Sequence, residues 1–207
     1  YFKKEYGIEC SFHGIDRLEQ LAPQKINVFN VWKNPVNIDF GKEDPLIGSY
    51  AIKSLKAAVR SLKEENSDVL VTAPINESSI QSESFKFPGH TDFLEQELEG
   101  DSLMLMISKT LRVGLLTDHV AIKDIAQNIT PERIEKKINT IYKTLIQDFG
   151  ISKPKIAVLG INPHTGDNGV IGSEDDTVLR PTLDNMRNSG KLIYGPYAAD
   201  SFFGAGQ

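Results

Sequence analysis

The feature that most constrains this chain is an alternation of short apolar runs with long apolar stripes at helical spacing. Between Pro45 and Glu65 the residues Ile47, Ala51, Leu55, Ala58 and Leu62 recur every three or four positions, one face of an amphipathic helix. A second stripe, Ile134, Ile138, Ile141 and Leu145, follows a capping Thr130 and a first-turn Pro131 and stops at Gly150. A third helix is expected after Ser173, ending at Gly190. The runs between these stripes are strand-like. "KINVFNVW" (Lys25–Trp32) alternates, and "SDVLVTAP" (Ser67–Pro74) is continuously apolar in the manner of a buried parallel strand. "SLMLMIS" and "LRVGLLTD", ending at Ser108 and Asp118, read as two more of that kind, and "KIAVLG" and "KLIYGP" complete the series. Strand and helix in turn predict an α/β protein, a mostly parallel sheet flanked by helices.

Composition narrows the class further. The 207 residues leave room for one large domain or two small ones with a substantial core. Hydrophobic residues at 40% and charged ones at 25% are those of a globular protein, and the net charge of −5 gives no footprint for nucleic acid or an anionic membrane. A few local donors can still hold a phosphorylated substrate. The single cysteine, Cys10, cannot close an internal disulfide and points to a reducing, cytoplasmic setting. No apolar run approaches the roughly 20 residues of a membrane span, and no signal peptide opens the chain. Tyr1 begins inside a polar, helix-like stretch and Gln207 follows "SFFGAGQ", so both ends are expected to continue in a longer parent.

The chemistry rests on four histidines. His13, in "CSFHGID", has no context that suggests a role. His90, His119 and His164 each follow a strand or a turn-rich loop: "FPGHTDFLE", "LLTDHVAIKD" and "INPHTGDNG". A parallel sheet gathers the carboxyl ends of its strands along one edge, so such loops meet there. Neutral imidazoles converging from separate loops suit a divalent metal such as zinc. The competing reading is hydrogen-bonded loop histidines, since no HxxxH or HxH spacing is present. In "GHTD", Gly89, His90 and Thr91 can donate to a phosphate or carboxylate; alternatively Thr91 caps a helix with Asp92 and Glu95 in its first turn. No glycine-rich dinucleotide fingerprint, P-loop or nucleophile elbow occurs.

Taken together and in order, "VTAPIN", "FPGHTDFLE", "LRVGLLTDHVAIKDI", "ITPERI", "VLGINPHTGDNGVIGSED" and "GPYAADSFF" resemble the 4-hydroxythreonine-4-phosphate dehydrogenase family of pyridoxal phosphate biosynthesis, from about Val36 to Gln207. The resemblance implies an isocitrate/isopropylmalate dehydrogenase-like fold in two lobes. Here these would be residues 1–83, a partial first α/β lobe, and 84–207, a second lobe that binds metal and substrate and dimerises. It implies a homodimer that oxidises the secondary alcohol of 4-phosphohydroxy-L-threonine with NAD or NADP, the product losing carbon dioxide to give 3-amino-2-oxopropyl phosphate. It also implies a divalent metal (Zn, Mg or Co) held by three histidines. By motif, His90 and Thr91 contact substrate, His119 and His164 are metal ligands, and Asp200 is catalytic at the substrate–metal site.

Three departures bear on this. The family's third metal histidine lies in a "YHDQG"-like motif beyond Gln207, together with much of the cofactor site. Its "GDPNGIGPE"-like opening has no counterpart after Tyr1, and Glu77 stands where the family usually has lysine. Relatives act on threonate or erythronate phosphates or on dihydrodiols, and an inactive binding or dimerisation module is a further alternative. A phosphotransacetylase-like acyltransferase shares the broad fold, but it would have no use for His119 and His164.

Overall fold

The computed structural model describes residues 2–204; the expectations about Tyr1 and Gln207 lie outside them. Two compact units are present, one through Gly100 and one from Asp101. The sequence reading expects its two lobes to meet between residues 83 and 84. Among the described residues no helix is long and apolar enough to cross a membrane.

In the first unit a short helix, α1 (Phe2–Glu5), precedes two three-residue strands, β1 (His13–Ile15) and β2 (Asn27–Phe29), paired in parallel with His13 opposite Asn27. The long helix α2 (Pro45–Lys63) starts as helices should: the Asp44 carboxylate accepts the Leu46 N–H at 2.8 Å and Pro45 occupies the first turn. Its fully buried residues are Gly48, Ile52, Leu55 and Val59. This is the expected face turned by one residue, with Ile47, Ala51, Ala58 and Leu62 along its flank. Gly48 explains the turn. A Cβ there would lie 1.9 Å from the Ser79 carbonyl oxygen, so glycine lets α2 settle directly on the 79–80 backbone. Helix α3 (His90–Glu97) joins this core through Phe93, which packs with Phe85 and Phe87 at ring separations of 5.2 and 5.4 Å.

The expected strand Ser67–Pro74 is absent. Leu70 turns into the core while Val69 and Val71 stand 74% and 89% exposed. The segment keeps the in–out alternation of a strand, but the strand pairs among the described residues are β1–β2 and two others in the second unit. An apolar run becomes a strand only where a neighbour completes its ladder.

The second unit opens with β3 (Leu105–Ile107) and β4 (Arg112–Gly114), the strands expected to be buried and parallel. They form an antiparallel hairpin, Met106 opposite Val113, and leave Met106, Ile107 and Leu111 exposed. The reason is the connection: parallel strands need a crossover of a dozen or more residues, and "SKTL" is far too short. After α4 (Ile125–Asn128), α5 (Pro131–Gln147) follows its Thr130 cap, whose hydroxyl accepts the Arg133 N–H at 3.3 Å. The expected stripe faces inward: Ile134, Ile138 and Leu145 are buried.

The remaining pattern is as the alternation predicted. Strand β5 (Lys155–Leu159) and strand β6 (Leu192–Tyr197) pair in parallel across helix α6 (Arg180–Asn188), which is entered through a wide π turn at Asp175–Leu179. Leu179, Leu183, Met186 and Ile193 close this βαβ unit against Ile134 and Ile138. Ala157 faces Tyr194 and Leu159 faces Tyr197, so Gly195 and Pro196 together oppose Val158. That β-bulge bends β6 just before the chain reaches Asp200.

Candidate functional site

Strand β5 ends at Leu159, and the glycine-rich loop that follows contains His164. Pro163–Gly166 form a tight 3₁₀ turn in which His164 and Thr165 both adopt left-handed backbone, φ 54° at each. Non-glycine residues pay for such φ values, and they persist where surrounding contacts over-determine them, most often at functional sites. The contacts are on hand. The Thr165 N–H donates to the Asn162 carbonyl at 3.1 Å, and its hydroxyl donates to the His164 carbonyl at 2.6 Å. The Ile171 N–H closes the loop on the Gly166 carbonyl at 3.0 Å.

The turn points the His164 ring at Asp200, which arrives on the loop after β6. His164 Nδ1 lies 2.8 Å from Asp200 Oδ2, with side chains 65% and 42% exposed. Thus two of the residues singled out from the sequence are brought together. A carboxylate on Nδ1 accepts that nitrogen's proton and leaves the Nε2 lone pair for a metal or a substrate proton. His119 is exposed in the same unit, five residues after β4, and likewise has positive φ, 50°. Among the described residues no three His, Cys, Asp or Glu side chains form a metal-sized cluster. The donor set is therefore of the right chemistry, imidazole backed by carboxylate, and short of the three ligands a tight site requires.

His90 and Thr91 belong to the first unit. His90 is the first residue of α3 and Thr91 the second, both half-buried. Thr91 is not the N-cap: Gly89 holds that position, in extended backbone. The His90 and Thr91 side chains consequently ride on a helix start, where amide donors and the helix dipole favour an anionic group.

The sequence reading missed the acids behind the His164 loop. The Asp175 carboxylate is 0% exposed and accepts three hydrogen bonds: from the Ile161 N–H at 2.8 Å, the Asn162 N–H at 2.9 Å and the Asn162 side-chain amide at 3.1 Å. The same amide donates to Glu174 at 2.9 Å. The Glu174 carboxyl is held below its usual range by its own backbone N–H first and the Asn162 amide next. "SEDD" reads as an acidic first turn, and only the fold shows which acid turns back under the strand end.

Comparison with known proteins places the chain in a family. The family model for the pyridoxal phosphate biosynthetic protein PdxA matches residues 2–207, reaching further toward the start than the motifs alone. A 4-hydroxythreonine-4-phosphate dehydrogenase of Bacteroides thetaiotaomicron is 39% identical over 208 residues, covering 100% of this chain and 57% of its own. One from a Sulfurihydrogenibium species is 34% identical over 97% of this chain and 62% of its own. The crystal structure of a 4-hydroxythreonine-4-phosphate dehydrogenase from Klebsiella pneumoniae superposes with a TM-score of 0.79 at 27% identity, covering 95% of this chain and 60% of that one. The chain thus spans less than two thirds of the length of these relatives. It belongs to the pyridoxal phosphate biosynthetic protein PdxA family.

Proposed function

We propose that this chain provides part of the active site of a metal-dependent NAD(P) dehydrogenase. The enzyme oxidises 4-phosphohydroxy-L-threonine, with decarboxylation to 3-amino-2-oxopropyl phosphate, in pyridoxal phosphate synthesis. The observation that carries the reading is the His164–Asp200 pair, 2.8 Å apart on two family motifs. A divalent cation (Zn, Mg or Co), when bound, supplies polarisation of the substrate alcohol and of the carbonyl it becomes. His164 offers Nε2 toward that cation, Asp200 fixes its tautomer from behind, and His119 is the second imidazole. Imidazole donors favour zinc or cobalt over magnesium. His90 and Thr91, at the head of α3, donate to the substrate's anionic groups. The dinucleotide is NAD or NADP.

The family's isocitrate/isopropylmalate dehydrogenase-like two-lobed fold and a homodimer belong to the same proposal. The exposed Met106, Ile107 and Leu111 of the β3–β4 hairpin support a partner surface there. A cytoplasmic setting is supported by the lone Cys10.

The test is calorimetric titration of this chain and of His164→Ala with Co²⁺ and Zn²⁺. In parallel, the longer enzyme carrying the same change is assayed for NADH or NADPH formation from 4-phosphohydroxy-L-threonine. His164→Ala is expected to abolish the imidazole-dependent binding and to lower kcat far more than it raises KM. Equal metal binding and near-normal turnover in the variant would overturn the reading.

A further inference from the structure

We propose that Asp175 is the positioning residue of His164, the buried carboxylate that sets the geometry in which the imidazole meets Asp200. The inference deepens the metal reading of His164 and rests on it for its functional meaning. Its structural content stands on contacts within the second unit.

A fully buried carboxylate is expensive, and it persists only where hydrogen bonds replace its lost water. Asp175 has three such bonds, and all of them go to one place, the consecutive residues Ile161 and Asn162 just past Gly160 at the end of β5. Holding the consecutive N–H groups of Ile161 and Asn162 in one carboxylate fixes the orientation of two successive peptide planes. Asn162 then accepts the Thr165 N–H, and that bond closes the turn that forces His164 and Thr165 into left-handed backbone. Two successive non-glycine residues in left-handed backbone persist only where their surroundings over-determine them, so the anchor must be rigid.

The surroundings are built to the same end. A Cβ on Gly160 would lie 3.0 Å from Asp175 Oδ1 and 2.7 Å from Thr165 Cγ2, so only glycine lets carboxylate and turn close over the strand end. The Gly160 N–H donates to the Tyr197 carbonyl at 2.7 Å, which ties the same point to the end of β6, three residues before Asp200. Both arms of the His164–Asp200 pair therefore spring from a junction that Asp175 holds from below. A helix cap alone would not need a buried charge aimed at another loop.

The test reads the His164 ring directly. In ¹⁵N-labelled metal-free chain, at a pH above the imidazole's titration, ring ¹⁵N spectra report which nitrogen bears the proton. The expected wild-type state is the Nδ1–H tautomer, the donor to Asp200. Asp175→Asn keeps the shape but turns an amide on the loop's donors, and His164 is expected to lose the Nδ1–H signature. Gly160→Ala, which crowds the same junction without changing charge, should cause the same loss and serves if the first variant does not fold. Leu183→Ala is the control: it removes buried core from α6 and should lower Tm while leaving the His164 spectrum in place. An unchanged signature in folded Asp175→Asn or Gly160→Ala would overturn the proposal, as would an equal loss in Leu183→Ala. Because no metal is present, failure of Co²⁺ to bind His164 counts against the dehydrogenase reading alone.

Discussion

Replacing Asp200 with asparagine isolates what a carboxylate behind His164 is worth. The substitution preserves volume and leaves an oxygen 2.8 Å from Nδ1, or, with the amide flipped, an NH₂. In the second orientation the amide donates to Nδ1, the ring proton moves to Nε2, and the lone pair offered to a cation disappears. Loss of a carboxylate partner to a metal-ligating histidine typically costs 10–100-fold in affinity. Here both side chains are substantially exposed, 65% and 42%, so water already competes for the pair and the low end applies. The expectation is a roughly tenfold weaker Co²⁺ complex, about 1.4 kcal/mol. For the same reason the effect on folding should be small, about 0–1 kcal/mol, as for other exposed pairs. Calorimetric titration with Co²⁺ gives the first quantity and thermal unfolding without metal the second. Unchanged Co²⁺ affinity in Asp200→Asn, beside a large loss in His164→Ala, would refute the view that Asp200 orients the ring. A large fall in Tm with unchanged affinity would make the pair a structural clasp.

Other expectations concern stability. Gly48→Ala gains about 1 kcal/mol of helix propensity. It places a Cβ 1.9 Å from the Ser79 carbonyl oxygen, a backbone clash of about 1–3 kcal/mol or more, so the net effect in urea titration is destabilising. A more stable variant would mean α2 does not rest on Ser79. Thr130→Ala removes the hydroxyl that accepts the Arg133 N–H and should cost about 1 kcal/mol, a Tm lower by a few degrees. Glu174 has its folded pKa below its ordinary value of 4.5, so its contribution is fully present above that value and fades as pH falls through the folded one. Glu174→Gln should flatten that acid limb of the unfolding curve; an identical pH profile would deny the Asn162–Glu174 bond a role.

The helices were legible because a stripe at 3.6-residue spacing has one structural solution, and Thr130, Pro131 and Gly150 mark its ends in single residues. Strand pairing was less so. "LMLMIS" and "LRVGLLTD" carry the unbroken apolar character of buried parallel strands, yet only four residues separate Ile107 from Arg112, and that length decides for a hairpin. The signal was present in the spacing and was outweighed by composition. For Ser67–Pro74 no local signal could decide, because a strand is a property of two segments and the run specifies one.

The candidate site divides along the same line. His164 and Asp200 could be placed near each other from the order of motifs, since β5 and β6 are parallel neighbours whose carboxyl ends share an edge. Asp175 could not. Three successive acids, Glu174, Asp175 and Asp176, all suit the start of a helix, and the dipole favours each of them alike. Which one is buried depends on where the wide turn at Asp175–Leu179 leaves each Cβ relative to Gly160, a distance set by packing of Leu179 and Leu183 under the sheet. The side chains of the candidate site are written in the sequence as residue types because the proposed chemistry demands those atoms. The residue that aims them is written only as a position, and it becomes visible once the backbone shows which N–H groups need an acceptor.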